Sequence, residues 1–361
     1  MRRVPALIVG GGPAGSAAGI ALSRAGIEAE IVERSPGPQD MVCGGFLGWD
    51  ALAALRSLGV DAAALGARPI ARLRLVSAED EVEAALPHRA AGLSRRTLDA
   101  ALLGAAEAAG ARLRRGVAVR SADLGRRCLR LDGGDEAGGE ALLIATGKHE
   151  LRGAARPRDT SADPIGLRTA LAPSPVLARA LDGVIELHLF DGGYAGLLLQ
   201  EDGQANLCLS AARRRLKAAG GIERLVGELA DELPALAERL RQGRTAGWSA
   251  VSGVPYGWRA AGTAPGIYRL GDQAAVIASL AGDGIAIALA SGKVAGAAIA
   301  AGRPAEEYQK AFRRQAGRPI GAAEALRWAA EHAAPRAAAM GVLKALPRLT
   351  GLAALLTRIG R

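Results

Sequence analysis

The run Gly10-Gly11-Gly12-Pro13-Ala14-Gly15 constrains this chain more than any other stretch, because of what flanks it. Val4 to Val9 is an apolar segment of strand length, and Ser16 to Ala25 is an alanine-rich segment able to form a helix. A strand that turns on glycines into a helix aims several backbone N–H groups, and the positive end of the helix dipole, at one point where a diphosphate fits. In Gly10-x-Gly12-x-x-Gly15 the first glycine allows the tight turn and the second lets a phosphate approach the backbone. The third lets helix and strand pack closely. Ile27 to Val32 reads as the second strand and ends at Glu33, roughly 20 residues beyond the glycines, where a carboxylate meets a ribose diol.

The chain has 361 residues with 50% hydrophobic content, enough to bury a large core in two domains or one elaborated domain. Its formal charge of +10 is carried almost wholly by scattered arginines, a bias that favours anionic ligands or a membrane surface. Aromatic residues make up only 3%, without the interleaving of basic and aromatic side chains that nucleic-acid binding uses, so no nucleic-acid partner is expected. Cys43, Cys128 and Cys208 are far apart, with no CxxC pair, which argues against a disulfide framework and a zinc site and suits a reducing cytoplasm. No metal site is expected. His88, His149, His188 and His332 are isolated and read as surface or satisfied polar residues. Arg2 and Arg3 precede about twenty uncharged residues, the look of a targeting segment. Pro5, Pro13 and the glycines divide that stretch into strand, turn and helix instead.

After Glu33 a loop containing Pro36, Gly37 and Pro38 leads to Met41-Val42-Cys43-Gly44-Gly45-Phe46, whose glycines allow close backbone approach to something flat. Asp50 to Leu58 reads as a short helix closed by Gly59, and Asp61 to Leu65 as another helical turn. Ile70 to Val76 and Val82 to Leu86 read as paired strands, and a helix follows Leu93-Ser94-Arg95 through Ala109. Leu113 to Val119 and Leu129 to Leu131 are further strands, and Ala141 to Ala145 is the continuous apolar run of a strand buried on both faces. Pro157 to Pro175 reads as a loop. Val184 to Phe190, Gly196 to Leu199 and Ala205 to Ser210 form an antiparallel group, and Gly220 to Gln242 is helical. Ile267 to Leu270 returns to the buried-strand style before Gly271-Asp272, Gly282-Asp283-Gly284 and an apolar helix from Ile285 to Ala301.

Taken in order, the glycine turn with Glu33-Arg34, Arg95-x-x-Leu98-Asp99-x-x-Leu102, Gly271-Asp272 and Gly282-Asp283-Gly284-Ile285 resemble the FAD-dependent oxidoreductases that group aromatic hydroxylases with geranylgeranyl reductases. The resemblance implies an α/β fold, with a Rossmann-like FAD-binding domain, an inserted antiparallel-sheet substrate domain and a C-terminal helical segment. The expected division is 1–68, 91–156 and 256–330 for FAD, 69–90 and 157–255 for substrate, and 331–361 for the helical segment. The resemblance puts the adenosine end of FAD on Gly10, Gly12, Gly15 and Glu33, with Arg34 beside the adenine and Pro13, Ala14 and Val119 in the same cofactor-binding set. Arg95 would lie near the diphosphate and Asp272, after Gly271, at the ribityl hydroxyls. Gly282, Gly284 and Ile285 would bring backbone close to the isoalloxazine ring, where the dipole of the following helix favours a reduced, anionic ring.

Two departures from the family pattern stand out. Ala278 or Ser279 replaces the proline that often precedes the last glycine motif, and Ala145-Thr146-Gly147-Lys148-His149 replaces an Asp-Gly fingerprint. Lys148 itself reads as a surface residue. The Trp-x-Trp motif of flavin halogenases is absent, Trp248 and Trp258 being too far apart, and this argues against halogenation. Cys43-Gly44 is similar to prenyl reductases in which the cysteine lies near the flavin, the alternative being a small buried residue in a glycine loop. Tyr194, on the turn Phe190-Asp191-Gly192-Gly193-Tyr194, is the candidate for the substrate pocket, with core packing as the alternative.

The implied activity is a single-component monooxygenase, with NAD(P)H as a transient reductant, acting on a small apolar or aromatic (phenolic) substrate. A geranylgeranyl-reductase-like ene-reductase of isoprenoid chains is the alternative, and a non-catalytic nucleotide-binding or membrane-associated module the alternative of another class. No catalytic acid or base stands out beyond Cys43 and Tyr194. In 335–361, Leu349, Leu352, Leu356 and Ile359 recur at helical spacing with Arg348, Arg358 and Arg361 nearby. A helix packed on the domain fits this pattern better than one lying on an anionic membrane, and both readings stand. The expected location is cytoplasmic, peripheral to the inner face of a membrane in the second case.

Overall fold

A computed structural model describes residues 3–156 and 164–360. Its strands are β1 (Arg3–Val9), β2 (Ala29–Glu33), β3 (Phe46–Leu47), β4 (Arg68–Val76), β5 (Glu81–Gly92), β6 (Arg112–Arg115), β7 (Val119–Asp123), β8 (Cys128–Leu131), β9 (Glu136–Ile144), β10 (Pro164–Leu171), β11 (Val184–Phe190), β12 (Gly193–Leu199), β13 (Ala205–Ala212), β14 (Ser249–Ser252) and β15 (Ile267–Arg269). Its helices are α1 (Pro13–Arg24), α2 (Trp49–Ser57), α3 (Arg95–Ala108), α4 (Pro175–Ala180), α5 (Arg213–Ala219), α6 (Ile222–Glu232), α7 (Pro234–Gln242), α8 (Gly284–Ala300), α9 (Ala305–Glu331), α10 (Ala333–Ala345) and α11 (Arg348–Leu356).

Among the described residues the strands form two sheets. The first runs β6-β2-β1-β9-β8-β7, with β15 also pairing with β9. Strands β6, β2, β1, β9 and β15 pair in parallel, and β7 and β8 add an antiparallel edge. Leu7, Ile8, Leu142, Leu143 and Ile144 are wholly buried, as central parallel strands covered on both faces require. The second sheet runs β14-β10-β13-β12-β11-β4-β5-β3 and is antiparallel except where β11 meets β4. This is the expected Rossmann-like α/β architecture with a second sheet and terminal helices.

Several expected elements change on folding. The strand expected over Leu113 to Val119 ends at Arg115, because Gly116 takes a positive φ of 70°, and a new strand begins at Val119. Within the loop expected over Pro157 to Pro175, residues 164–171 are instead β10, which inserts between β13 and β14 with Ile165, Leu167 and Leu171 buried. Pro164 stands at the strand's first position, where its missing N–H costs no central ladder bond. Residues 157–163 of that loop, together with Arg2 and Arg361, lie outside the described residues. The single helix expected over Gly220 to Gln242 is two, since Pro234 starts α7 and cannot continue α6. Residues 61–65 form a turn held by the Asp61 carboxylate, which accepts a hydrogen bond from the Ala63 N–H at 2.9 Å.

Helices α1 and α8 pack face to face through small residues. A side chain on Gly292 would run into the Ala14 carbonyl oxygen, and a Cβ on Gly296 would lie 2.6 Å from that of Ala21. In the second sheet, Glu186 on β11 is buried and gathers three partners. Arg74 on β4 donates to it at 2.5 Å, Arg239 on α7 at 3.0 and 3.1 Å, and the His188 ring lies 3.2 Å away. Burial works against its charge, but His188 and Arg239 outweigh burial and lower its pKa from 4.5 to about 2. At the far end of the chain Leu349 and Leu352 are exposed on α11, while Thr357, Arg358 and Ile359 are buried. Arg358, read from its spacing as a basic flank, therefore points inward. Among the described residues no helix is long and apolar enough to cross a membrane.

Two outcomes follow for stability. Replacing Gly292 by Val should lower the urea unfolding free energy by about 3 kcal/mol, because overpacking a helix contact against backbone cannot relax cheaply. A group whose folded pKa is depressed stabilises above its unfolded value, so Glu186 should contribute about 3 kcal/mol that is lost as pH falls from 4.5 toward 2. In urea titrations across that window Glu186→Gln should flatten the slope, and at neutral pH it should be less stable than the parent.

Candidate cofactor and substrate site

The site begins where β1 turns into α1. Gly10 has φ +101° and a side chain there would collide with the Ala145 carbonyl, while one on Gly15 would collide with the Gly10 carbonyl. Gly12 differs, since a Cβ there would meet only Arg95 Nη2, at 3.5 Å. Backbone and guanidinium thus border an open space at the start of α1, where the helix dipole favours an anion. Arg95 opens α3, capped by Ser94, and is bound by Asp99 at 2.7 and 2.8 Å. Burial opposes its charge, yet Asp99 and then Cys43 raise its pKa. The Glu33 carboxylate accepts from the Gly11 N–H at 2.7 Å and from the Ser35 N–H at 2.8 Å, which fixes it at the lip of the turn.

Gly271, more than 250 residues away in sequence, completes the same wall. It adopts φ +56°, its N–H donates to Ser291 Oγ at 2.7 Å, and a Cβ on it would lie 3.2 Å from that of Ala14. Asp272 follows in a single 3-10 turn, and its carbonyl accepts from the buried Arg156 at 2.8 Å. Gly282 has φ +68° and presses on the ring of Phe46, and Gly284 starts α8.

A continuous cleft of about 540 Å³ joins these pieces. Gly10, Gly12, Pro13, Ala14, Glu33, Arg34, Cys43, Gly44, Arg95, Val119, Gly271, Asp272, Gly282, Gly284 and Ile285 all line it. Gly15 lies beneath the turn. Tyr194 stands one layer behind the wall, its hydroxyl donating to Ser279 Oγ at 2.6 Å. Arg34 meets the His149 ring at 2.8 Å. These residues fit a dinucleotide: two glycines admit no side chain, a third faces open space beside a guanidinium, and a fixed carboxylate stands where a ribose belongs.

Sequence reasoning missed much of the second half of the cleft. Lys148, expected at the surface, lines the cleft, and its Nζ donates to the Val42 carbonyl at 2.7 Å. Burial disfavours its charge, but Asp272 and then Cys43 raise its pKa, so it remains an ammonium. It follows β9, and the carboxyl ends of parallel strands are where ligands sit in such sheets, which was the available signal. Tyr256, Ser279 and Cys208 also line the cleft. Ser279 Oγ lies 2.5 Å from the Tyr256 hydroxyl, which lies 3.5 Å from Ser210 Oγ. Burial raises the Tyr256 and Tyr194 phenols, keeping both protonated, and raises Cys208 to about 12, keeping it a thiol.

Asn206 on β13 ties the 43–44 loop to the second sheet at the site. Its amide donates to the carbonyls of Cys43 and Gly44 at 3.0 and 2.9 Å and accepts from Arg168 at 2.8 Å, while Arg168 also pairs with Asp40 at 3.1 Å. Cys43 is thereby held half-buried in the cleft wall.

Residues 3–127 match the family model described as "FAD binding domain". No curated protein sequence matches the chain at a significant level. Among solved structures, the flavin-dependent brominase Bmp2 superposes with a TM-score of 0.82 at 17% identity, covering 99% of this chain and 94% of that one. A geranylgeranyl bacteriochlorophyll reductase-like protein from Thermoplasma acidophilum gives 0.79 at 17% identity, over 93% of this chain and 90% of that one. PqsL of Pseudomonas aeruginosa, titled a probable FAD-dependent monooxygenase, gives 0.70 at 16% identity, over 91% and 97%. At these identities the likeness is one of fold. Together with the domain match it upholds the superfamily resemblance seen in the sequence.

If Asn206 holds the 43–45 loop as described, Asn206→Ala should speed amide hydrogen exchange in residues 41–46 while the core of β13 keeps its protection.

Proposed function

We propose that the protein is an FAD-dependent oxidoreductase, and specifically an NAD(P)H-dependent monooxygenase acting on a small apolar or phenolic molecule. The observation that carries this reading is the continuity of one cleft from a dinucleotide cradle to a second region walled by Val42, Val251, Val254, Val276 and Ile277, with Tyr256, Ser279 and Lys148 as polar groups. Such a region suits a mostly apolar ligand bearing one oxygen. Bound FAD would supply the two-electron chemistry and the reaction with dioxygen. The chain's own part is to hold and to orient. Gly10, Gly12, Arg95 and Glu33 would grip the adenosine diphosphate half, and Asp272 the ribityl chain. Tyr256 and Ser279 would fix the substrate oxygen through hydroxyls that burial keeps protonated. Apolar walls would keep bulk water from the reacting region.

Cys43-Gly44-Gly45 favours a second reading, reduction of an isoprenoid double bond, because the thiol and the open backbone line the cleft beside those apolar walls. Oxygen uptake coupled to NADPH oxidation with a hydroxylated product is the expected result; anaerobic saturation of an alkene would reverse the order of the two. A purified protein that is colourless and takes up no added FAD would leave a nucleotide-binding module without turnover. Asp272→Ala should weaken FAD retention about tenfold in an absorbance titration, the scale of a lost hydrogen bond to a charged group. Tyr256→Phe should raise KM about tenfold at little cost to FAD binding.

A further inference from the structure

Asp283 sits between two cleft-lining glycines, yet it does not line the cleft. It is fully buried behind it at the start of α8. Its partners come from the 335–361 segment, whose spacing reads as a helix packed on the domain or, second, one lying on a membrane. Arg358 Nη1 donates to Asp283 Oδ1 at 2.9 Å, and the Ile359 N–H donates to Oδ2 at 3.0 Å. The same guanidinium reaches the turn's main chain, with Nη2 donating to the Ala281 carbonyl at 2.9 Å and Nη1 lying 3.5 Å from the Gly282 carbonyl. It is 4.8 Å from the centroid of the Trp49 ring and 5.8 Å from that of Phe46, the ring against which Gly282 packs. Gly48 leaves room for it, since a Cβ there would lie 2.6 Å from Nη1. Asp50 Oδ1 is 4.0 Å away. One planar cation thus holds a carboxylate, two carbonyls and two rings from two separate parts of the chain, residues 46–49 and 281–283.

We propose that Arg358 is a positioning residue of the cofactor cleft, which sets the 281–284 turn so that the backbone of Gly282 and Gly284 lies along the wall where the flavin end of the dinucleotide binds. A guanidinium suits this task and an ammonium does not, because its donors form a rigid fork that serves separate acceptors at once. Burial pushes the Asp283 carboxyl well above its usual range, Arg358 opposing and Asp50 reinforcing the push. The turn therefore depends on Arg358 for alignment as well as for charge. The inference rests on the FAD reading above.

The test compares two ligands on the full chain stripped of cofactor: FAD, which needs the whole cleft, and ADP, which needs only the cradle at Gly10 to Gly15 and Glu33. Arg358→Gln should weaken FAD binding about tenfold, on the scale of lost hydrogen bonds to a charged group, and leave ADP affinity within about twofold of the parent. Arg358→Lys, which keeps the positive charge beside Asp283, should show the same split and serves if the glutamine variant does not fold. Unchanged FAD affinity would overturn the inference, and so would FAD and ADP affinities falling together, the mark of general destabilisation. A parent chain that binds ADP but not FAD would instead remove the FAD reading, and this inference with it.

Discussion

Helix α1 lies against helix α8 at a separation that only glycine and alanine permit, and the cleft exists because of that contact. Gly292 faces the Ala14 carbonyl and Gly296 faces the Ala21 methyl, so backbone meets backbone or a single methyl group, with nothing larger between. The approach brings Ala14, in the first turn after the glycines, against Gly271. Ser291 on α8 then accepts the Gly271 N–H and donates to the Ala288 carbonyl, and Tyr308 on α9 donates to the carbonyls of Arg269 and Ser291. Two ends of one wall, far apart in sequence, are thereby fixed by close packing of small atoms, an interaction that gains dispersion energy only while the surfaces stay in contact.

The first sheet supplies the rigid cradle, and the second sheet governs the loop that crosses it. Residues 40–45 are held from β10 and β13 through Arg168 and Asn206 and from the turn after β9 through Lys148. The anchors are polar and directional, whereas the body of each sheet is secured by apolar burial. The contact behind the Gly10–Gly15 cradle is therefore set mainly by packing, and the 40–45 loop by a few hydrogen bonds.

Local chemistry made part of this legible in the sequence. The glycine turn, Glu33 at the end of the second strand and Gly271-Asp272 after a buried strand each carry their geometry within a few residues, and all three stretches border one cleft. Lys148, Asn206, Tyr256 and Ser279 carried no such mark, since each matters through a partner far along the chain. Strand β10 was hidden by the prolines around it, although its alternation with β13 buries it thoroughly. Arg358 was misread for a related reason. Helical spacing places it beside exposed leucines, but it follows the end of α11, where the chain turns inward and its side chain meets Asp283.

The run of hydroxyls that reaches the cleft at Tyr256 and Ser279 has a property that single donors lack. Tyr194 gives its proton to Ser279, while either partner can be donor between Ser279 and Tyr256, and again between Tyr256 and Ser210. Beyond Tyr194 the chain has no fixed polarity: rotating the protons of Ser279, Tyr256 and Ser210 in concert turns the Tyr256 oxygen from an acceptor toward the cleft into a donor. The wall is thus amphoteric. Through Tyr256 and Ser279, the two members that line the cleft, it can present either a proton or a lone pair to the cleft without moving a heavy atom.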